Sequence, residues 1–355
     1  LKHKPAALGF RMPAEWEPHA ATWLAWPHNV TDWPRKGMLV EWVFVEMARL
    51  VSRGERVRFL VRHAKDRTRA RTMLARSGVD LTQIDFVMAK TDRSWTRDFV
   101  PQFVVRGRDK SREVGAVKFV FDAWGRYSES RLDDAAGAAI AKRFGRAVWR
   151  PTLRERKLVL EGGAIDVDGD GNLLATEQCL LDSKYSRNRG LTRADNEAFF
   201  ADYLGVSRVI WLEDGIVGDD TSGHIDDFAR FVAKGRVVLA QEKNQKDPNF
   251  RPLRRARERL LAAKLEVISL PMPSPVVFDK QRLPASYANF YIANEVVIVP
   301  TFNDPKDAEA LGILRELFRD REVVGVYARD LVLGLGTLHC SSHEEPAGRV
   351  ARVGK

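Results

Sequence analysis

Gly218-Asp219-Asp220-Thr221-Ser222-Gly223-His224-Ile225-Asp226 stands beyond the middle of a 355-residue chain, between the β-rich runs Val209–Leu212 and Arg236–Ala240. Counting outward from His224, one reactive-looking residue recurs in a loop or strand end. Asp98, Glu161, His224, Asn289 and Cys340 follow one another at intervals of 63, 63, 65 and 51 residues. Helical periodicity keeps the same rhythm, over roughly 64–77, 131–145, 191–204, 249–264 and 305–319, with an additional entry helix near 38–52. Between these helices lie β-rich runs, among them Arg56–Val61, Ala116–Phe121, Val296–Val299 and Glu322–Val326. The pattern reads as a repeated α+β unit without obvious sequence identity. No linker divides the chain, so a single domain over 1–355 is expected. One polar residue per repeat is what a radial arrangement gives, with each unit aiming a loop at a shared axis.

Composition narrows the function. Hydrophobic residues at 45% and charged residues at 30% are the balance of a folded chain with a solvated exterior. The net charge of +10 raises nucleic acid as a partner. However, the cations of Arg62–Arg76 and Arg251–Lys264 alternate with apolar positions, as on a solvated helix face. No apolar run approaches the ~18 residues of a membrane span, and Leu1-Lys2-His3-Lys4-Pro5 lacks the apolar core of a leader. Two cysteines, Cys179 and Cys340, make no disulfide scaffold, and a reduced, cytoplasmic setting is expected.

Each candidate segment has a chemical reading and a structural one. In Trp95-Thr96-Arg97-Asp98 a carboxylate beside an indole suits a planar cation, which the carboxylate grips and the ring stacks upon. The same residues could form an Arg97–Asp98 ion pair with Trp95 as core filler. Glu161-Gly162-Gly163 ends an apolar strand, where the glutamate could orient a histidine or sit exposed in a turn. His224 and Asp226, if in a β segment, point to one face as an acid–base and cation-holding pair; otherwise His224 is a lone histidine in a polar loop. Asp166-Val167-Asp168-Gly169-Asp170-Gly171, with Glu177 at the twelfth position, fits an EF-hand loop. Its flanks, Leu158–Ile165 and Asn172–Thr176, read as strands, so a hairpin is expected and calcium binding is the lesser alternative. Cys340 follows the glycine-bearing approach Leu333-Gly334-Leu335-Gly336, which brings backbone N–H groups close and can depress a thiol pKa; a buried, inert thiol is the alternative. Cys179, in the apolar run Thr176-Glu177-Gln178-Cys179-Leu180-Leu181, reads as an inert buried thiol.

In order, these segments resemble the agmatine deiminase/Porphyromonas-type peptidylarginine deiminase family over nearly the whole chain. The resemblance begins at Met12-Pro13-Ala14-Glu15-Trp16-Glu17-Pro18-His19, Thr22-Trp23 and Trp26-Pro27. It runs through Trp95-x-Arg97-Asp98, Glu161-Gly162-Gly163 and Gly218–Asp226 to Ser286-Tyr287-x-Asn289-Phe290-Tyr291-x-x-Asn294 and His339-Cys340. It implies an α/β fold of the pentein type, a five-bladed pseudo-symmetric α/β propeller. It implies Cys340 as nucleophile, His224 as general acid and then base, and Glu161 holding His224. Asp98 and Asp226 would clasp the guanidinium, Trp95 and Asn289 would be pocket residues, and Asp220 would face the substrate's distal end. The implied reaction is hydrolytic deimination, with agmatine the leading substrate and no metal or organic cofactor. Free or peptidyl arginine, or amidino transfer, are the enzymic alternatives; a calcium- or nucleic-acid-binding protein is the non-enzymic one. The expected partner is a small guanidino molecule, with a homodimer left open and neither nucleic acid nor membrane.

The chain also departs from the family pattern. Trp26-Pro27-His28-Asn29-Val30-Thr31-Asp32-Trp33 lacks the usual Arg and Asp-Asn pair, Phe99-Val100 replaces Thr-Gly, and Gly334-Leu335-Gly336-Thr337 replaces Gly-Gly-Gly-Asn. These changes spare the residues assigned to chemistry and surround them, so they bear on the substrate more than on the reaction.

Overall fold

A computed structural model describes residues 3–352. Its fold is α/β, with five sheets of three or four strands and two small hairpins among the described residues. One unit recurs five times. A short first strand pairs antiparallel with a second, and a helix then crosses to a third strand parallel to the second. The units are Gln102–Arg106, Glu113–Val117 and Val148–Trp149; Asp166–Val167, Asn172–Thr176 and Arg208–Leu212; Ala229–Ala233, Arg236–Gln241 and Glu266–Pro271; and Tyr291–Ile292, Val296–Thr301 and Glu322–Tyr327. The last unit joins the two ends of the chain: His343–Pro346 lies antiparallel to His19–Ala25, which is parallel to Arg56–Val61, and Ile84–Met88 adds a further parallel strand.

The crossover helices are Gly37–Val51, Arg131–Lys142, Arg193–Leu204, Phe250–Ala262 and Asp307–Leu317, and Ala64–Arg76 serves the extra strand. Each matches a stretch of helical periodicity to within three residues at either end. In Gly37–Val51, Val40, Val43, Phe44 and Met47 repeat at three- and four-residue steps and are buried. Burying each such side chain contributes about 1.5–3 kcal/mol. Arg193–Leu204 opens with a reciprocal cap: Asp195 N donates to Thr192 Oγ1 at 3.1 Å, and Thr192 N donates to Asp195 Oδ2 at 2.9 Å. It closes on Gly205 at φ +66, where a side chain would also strike the Phe10 carbonyl.

Two expected strands are corrected. Ala116–Phe121 is strand only at its start, because Glu113–Val117 ends there and Val120 makes a lone bridge to Val159. Leu158–Ile165 is not a strand either: Gly162–Ala164 form a helical turn that carries Glu161 inward. The EF-hand-like stretch is a hairpin, with Leu173 opposite Val167 and Leu174 opposite Asp166. Asp168 Oδ1 accepts from Asp170 N and Asn172 N at 2.8 and 3.0 Å. Asp166 pairs with Arg230, and Glu177 pairs with Arg193 and Arg259. Among the described residues no helix is long and apolar enough to cross a membrane.

Candidate active site

The five rhythmic residues stand at equivalent points of the five units. Asp98, Glu161, His224, Asn289 and Cys340 each lie just ahead of a first strand: Gln102–Arg106, Asp166–Val167, Ala229–Ala233, Tyr291–Ile292 and His343–Pro346 respectively. Their side chains meet. Asn289 Nδ2 donates to Cys340 Sγ at 3.1 Å, and Asp226 Oδ2 is 3.6 Å from the same sulfur. His224 Nδ1 is 4.0 Å from Asp98 Oδ1 and 3.9 Å from Asp226 Oδ1, and its Nε2 is 3.8 Å from Glu161 Oε2. His224 and Asp226 are not in a β segment: a turn over Ile225–Asp227 brings them together.

A cavity of about 210 Å³ opens onto this cluster, lined by Trp95, Asp98, His224 and Cys340 with Asp220 and Asp227. Glu161 and Asn289 stand behind that lining, and Asp226 stands directly behind two of its groups, with Oδ1 3.9 Å from His224 Nδ1 and Oδ2 3.6 Å from Cys340 Sγ. Asn289 is beneath the sulfur, where its Oδ1 accepts from Thr337 Oγ1 at 2.6 Å and from His339 N at 3.1 Å. It is therefore placed to hold the nucleophile's loop more than to touch a ligand. Glu161 is fully buried against Arg187 Nε at 2.8 Å, which leaves Oε2 without a hydrogen bond and facing His224.

Glycines make the close approach possible. A Cβ on Gly163 would stand 2.5 Å from His224 Nδ1 and 3.1 Å from an oxygen of each of Asp98 and Asp226. Gly163 N also donates to Asp98 Oδ1 at 3.0 Å. On the opposite wall, Cβ atoms on Gly334 and Gly336 would meet the Trp95 ring at 2.7 and 2.9 Å, so the loop before Cys340 lies flat on the indole.

Electrostatics divide the cluster into roles. Burial disfavours a charged His224, but Asp98, Glu161 and Asp226 outweigh it and raise the ring to about 9. Burial pushes Asp98 up to about 6, against the pull of His224 and with the push of Asp226 and Glu161. Glu161 falls to about 2 despite its burial, because Arg187 and His224 favour its anion. Burial, then Asp219, Asp226 and Asp220, push Asp227 well above the carboxylate range. Cys340 differs from expectation. Burial first, then Asp226, Asp227 and Asp98, push its thiol well up, and the glycine approach does not offset them. Cys179 is a buried thiol raised to about 12, chiefly by burial.

Several neighbours escaped the sequence reading. Trp124 donates from Nε1 to Asp98 Oδ2 at 2.8 Å, from a backbone at φ +61 that also puts Ala123 in left-handed space. Nothing but its proximity to Gly125 signals this. Asp219 shapes the histidine loop, accepting from Thr221 N at 2.7 Å and Gly223 N at 2.6 Å, and Asp-x-Thr is a recognisable side-chain turn. At the cavity wall, Arg93 pairs with Asp32 and stacks on Tyr127 at 4.3 Å, while the Tyr127 hydroxyl donates to Asp220. Burial lifts Asp32 to about 7, against Arg93 and with Asp220. Thr31, Asp32 and Leu335, all at departures from the family pattern, line this cavity.

Beneath Asp226 lies a buried row of ionisable side chains. His339 Nδ1 is 2.6 Å from Asp226 Oδ2, and its Nε2 is 2.7 Å from Glu15 Oε2. Glu15 meets Arg97 at 3.2 Å and Arg230 at 2.9 Å, while Arg97 also holds Glu344 at 2.8 Å. Arg97 thus pairs away from Asp98. Both arginines are consumed in the interior and are not free for a ligand's carboxylate.

Fold and sequence relationships together make the chain an enzyme of the guanidine-modifying class. More particularly, it belongs to the Porphyromonas-type peptidyl-arginine deiminase family, whose sequence model matches residues 11–346. It is 36% identical to the agmatine deiminase of Pseudomonas aeruginosa over 377 aligned positions, covering 98% of each chain. Its fold matches the agmatine deiminase of Enterococcus faecalis with TM-score 0.87 and 31% identity, over 97% of this chain and 98% of that one. A substrate-bound agmatine deiminase of C. jejuni gives 0.85 and 28%, over 96% and 97%. An amidinotransferase of Microseira wollei shares the fold at 13% identity and TM-score 0.51, over 97% and 98%.

Proposed function

We propose that this chain hydrolyses agmatine to N-carbamoylputrescine and ammonia through a thiouronium intermediate on Cys340. The observation that carries the reading is the convergence of one thiol, one imidazole and several carboxylates on a single cavity, in a chain 36% identical to agmatine deiminases over nearly its full length. Asp98 and Asp226 clasp the guanidinium, and Trp95 forms the wall beside it. The bound cation offsets the carboxylates that hold the Cys340 thiol up, so the thiol gives its proton to solvent and a thiolate faces the guanidinium carbon. Asn289 donates to that sulfur.

Sulfur attack forms the C–S bond and gives a neutral tetrahedral adduct. His224, protonated in the resting site, gives its proton to an amino group, which leaves as ammonia, and the thiouronium cation remains. Neutral His224 next takes a proton from water as oxygen attacks the same carbon. Collapse breaks the C–S bond and gives the ureido product, while the hydroxyl proton passes to the departing sulfur and restores the Cys340 thiol. The released ammonia is balanced as ammonium by the proton lost to solvent at the start. Glu161, fixed by Arg187, steadies the charged ring.

Asp220 and Asp32 suit the distal ammonium of agmatine, since each is a carboxylate raised by burial that a cation would stabilise. Arg93 lies with them but is held by Asp32 and Tyr127. The five repeated units support a single-domain, five-bladed propeller, and the two free cysteines support a cytoplasmic setting. A screen of guanidino compounds for ammonia release tests the reading: agmatine should yield ammonia and a ureido product in equal amounts. No ammonia from any guanidino compound would remove it.

A further inference from the structure

We propose that His339 is a positioning residue whose doubly protonated ring, held between Asp226 and Glu15, keeps Asp226 charged and aimed at the guanidinium. The inference rests on the deiminase reading for its consequence, but its geometry stands alone. Both ring nitrogens lie at hydrogen-bond distance from a carboxylate oxygen, 2.6 Å to Asp226 and 2.7 Å to Glu15. A neutral imidazole has one N–H and can serve only one of them. The second proton must sit on the ring or on a carboxylate.

The surroundings put it on the ring. Glu15 already faces Arg230 and Arg97, and its other oxygen accepts from Ile292 N at 2.8 Å. Against its burial, Arg230 and then Arg97 hold the Glu15 carboxyl well below the usual range, and His224 and Arg230 also favour the Asp226 anion. The whole row is buried, where an unpaired anion is costly and a paired, hydrogen-bonded one is tolerated.

The arrangement has a direct consequence at the site. With Oδ2 tied to His339, Asp226 keeps Oδ1 without a hydrogen-bond partner, 3.9 Å from His224 Nδ1. That atom is left for the substrate's N–H. The backbone N of His339 also donates to Asn289 Oδ1, and Asn289 Nδ2 reaches Cys340 Sγ. One residue thus fixes both a guanidinium carboxylate and the loop of the nucleophile.

The test uses the intact chain. In ¹⁵N-histidine-labelled wild-type protein, the His339 ring, assigned through its own backbone correlations, should show two protonated nitrogens at neutral pH. His339→Asn keeps a donor towards Asp226 but drops the charge and Glu15, whereas His339→Gln reaches Glu15 and abandons Asp226. We expect kcat/KM with agmatine to fall about tenfold in the first and about a hundredfold in the second, because a small misplacement of a substrate-holding group has such effects. A single protonated ring nitrogen in the wild type would overturn the proposal even if neither variant folds. So would both variants retaining kcat/KM within about twofold of wild type. Failure of the wild type to release ammonia from any guanidino compound would remove the deiminase reading and leave the doubly protonated ring standing.

Discussion

Gly163 lies against the imidazole of His224 so closely that a single added carbon would stand 2.5 Å from Nδ1. The same carbon would crowd one oxygen of Asp98 and one of Asp226. The glycine is needed here for space, since its backbone is not in the left-handed region. Gly163→Ala should therefore fold, because its conflicts are with side-chain ends, yet lose about a hundredfold in activity as His224 and the carboxylates shift. Gly162→Ala makes the contrast: its carbon would meet the Arg97 backbone oxygen at 2.3 Å. It should lower the melting temperature, at a cost of about 1–3 kcal/mol. Near-normal turnover by Gly163→Ala would show that the close packing has no part in the reaction.

The two thiols should behave differently. Cys340→Ser or Cys340→Ala should abolish ammonia release with the melting temperature nearly unchanged. Cys179 is buried and raised to about 12, so Cys179→Ala should retain activity and lose about 1 kcal/mol of stability to the small cavity it leaves. An active Cys340→Ala enzyme is the outcome that the covalent scheme cannot accommodate.

The pH dependence follows from two groups moved in the same direction. Asp98, at about 6, must be ionised to hold the guanidinium, so kcat/KM should fall as pH drops through that value. His224, at about 9, must carry its proton to release ammonia, so kcat/KM should fall again as pH rises through that value. The limbs belong to the interacting cluster rather than to isolated residues. Asp98→Asn should depress the whole profile, since one charge-assisted contact is worth about 1.5–3 kcal/mol. A profile flat from pH ~5 to ~10 would contradict this assignment.

Substrate choice depends on the far wall of the cavity. Asp32 and Asp220 favour an ammonium there, and Arg93, the arginine of that wall, is already paired with Asp32. Agmatine should be preferred to free arginine by at least about tenfold in kcat/KM, or ~1.4 kcal/mol. Asp220→Asn should narrow that ratio while leaving the chemistry intact. Equal or better turnover of arginine would mean that Arg93 releases Asp32 and takes the carboxylate.

Much of this site was legible because its residues recur with the repeat. Asp98, Glu161, His224, Asn289 and Cys340 precede five first strands, and helical periodicity marked the crossovers between them. What escaped depends on contacts that spacing does not encode. Trp124 reaches Asp98 from a left-handed backbone, Arg187 reaches Glu161 across 26 residues, and Glu15 reaches His339 across 324. The strand expected at Ala116–Phe121 ended early because Val120 pairs with Val159 instead of continuing the ladder. The thiol expected to be depressed is pushed up, because burial and three carboxylates outweigh nearby backbone dipoles.

The most direct test of the account is the state of Cys340 during turnover. Wild-type enzyme mixed with agmatine, quenched in acid within one turnover and digested, should show the Cys340 peptide heavier by the mass of the substrate less ammonia. Cys179 should be unmodified. Steady turnover with no adduct on Cys340, or an adduct on another residue, would contradict the covalent mechanism.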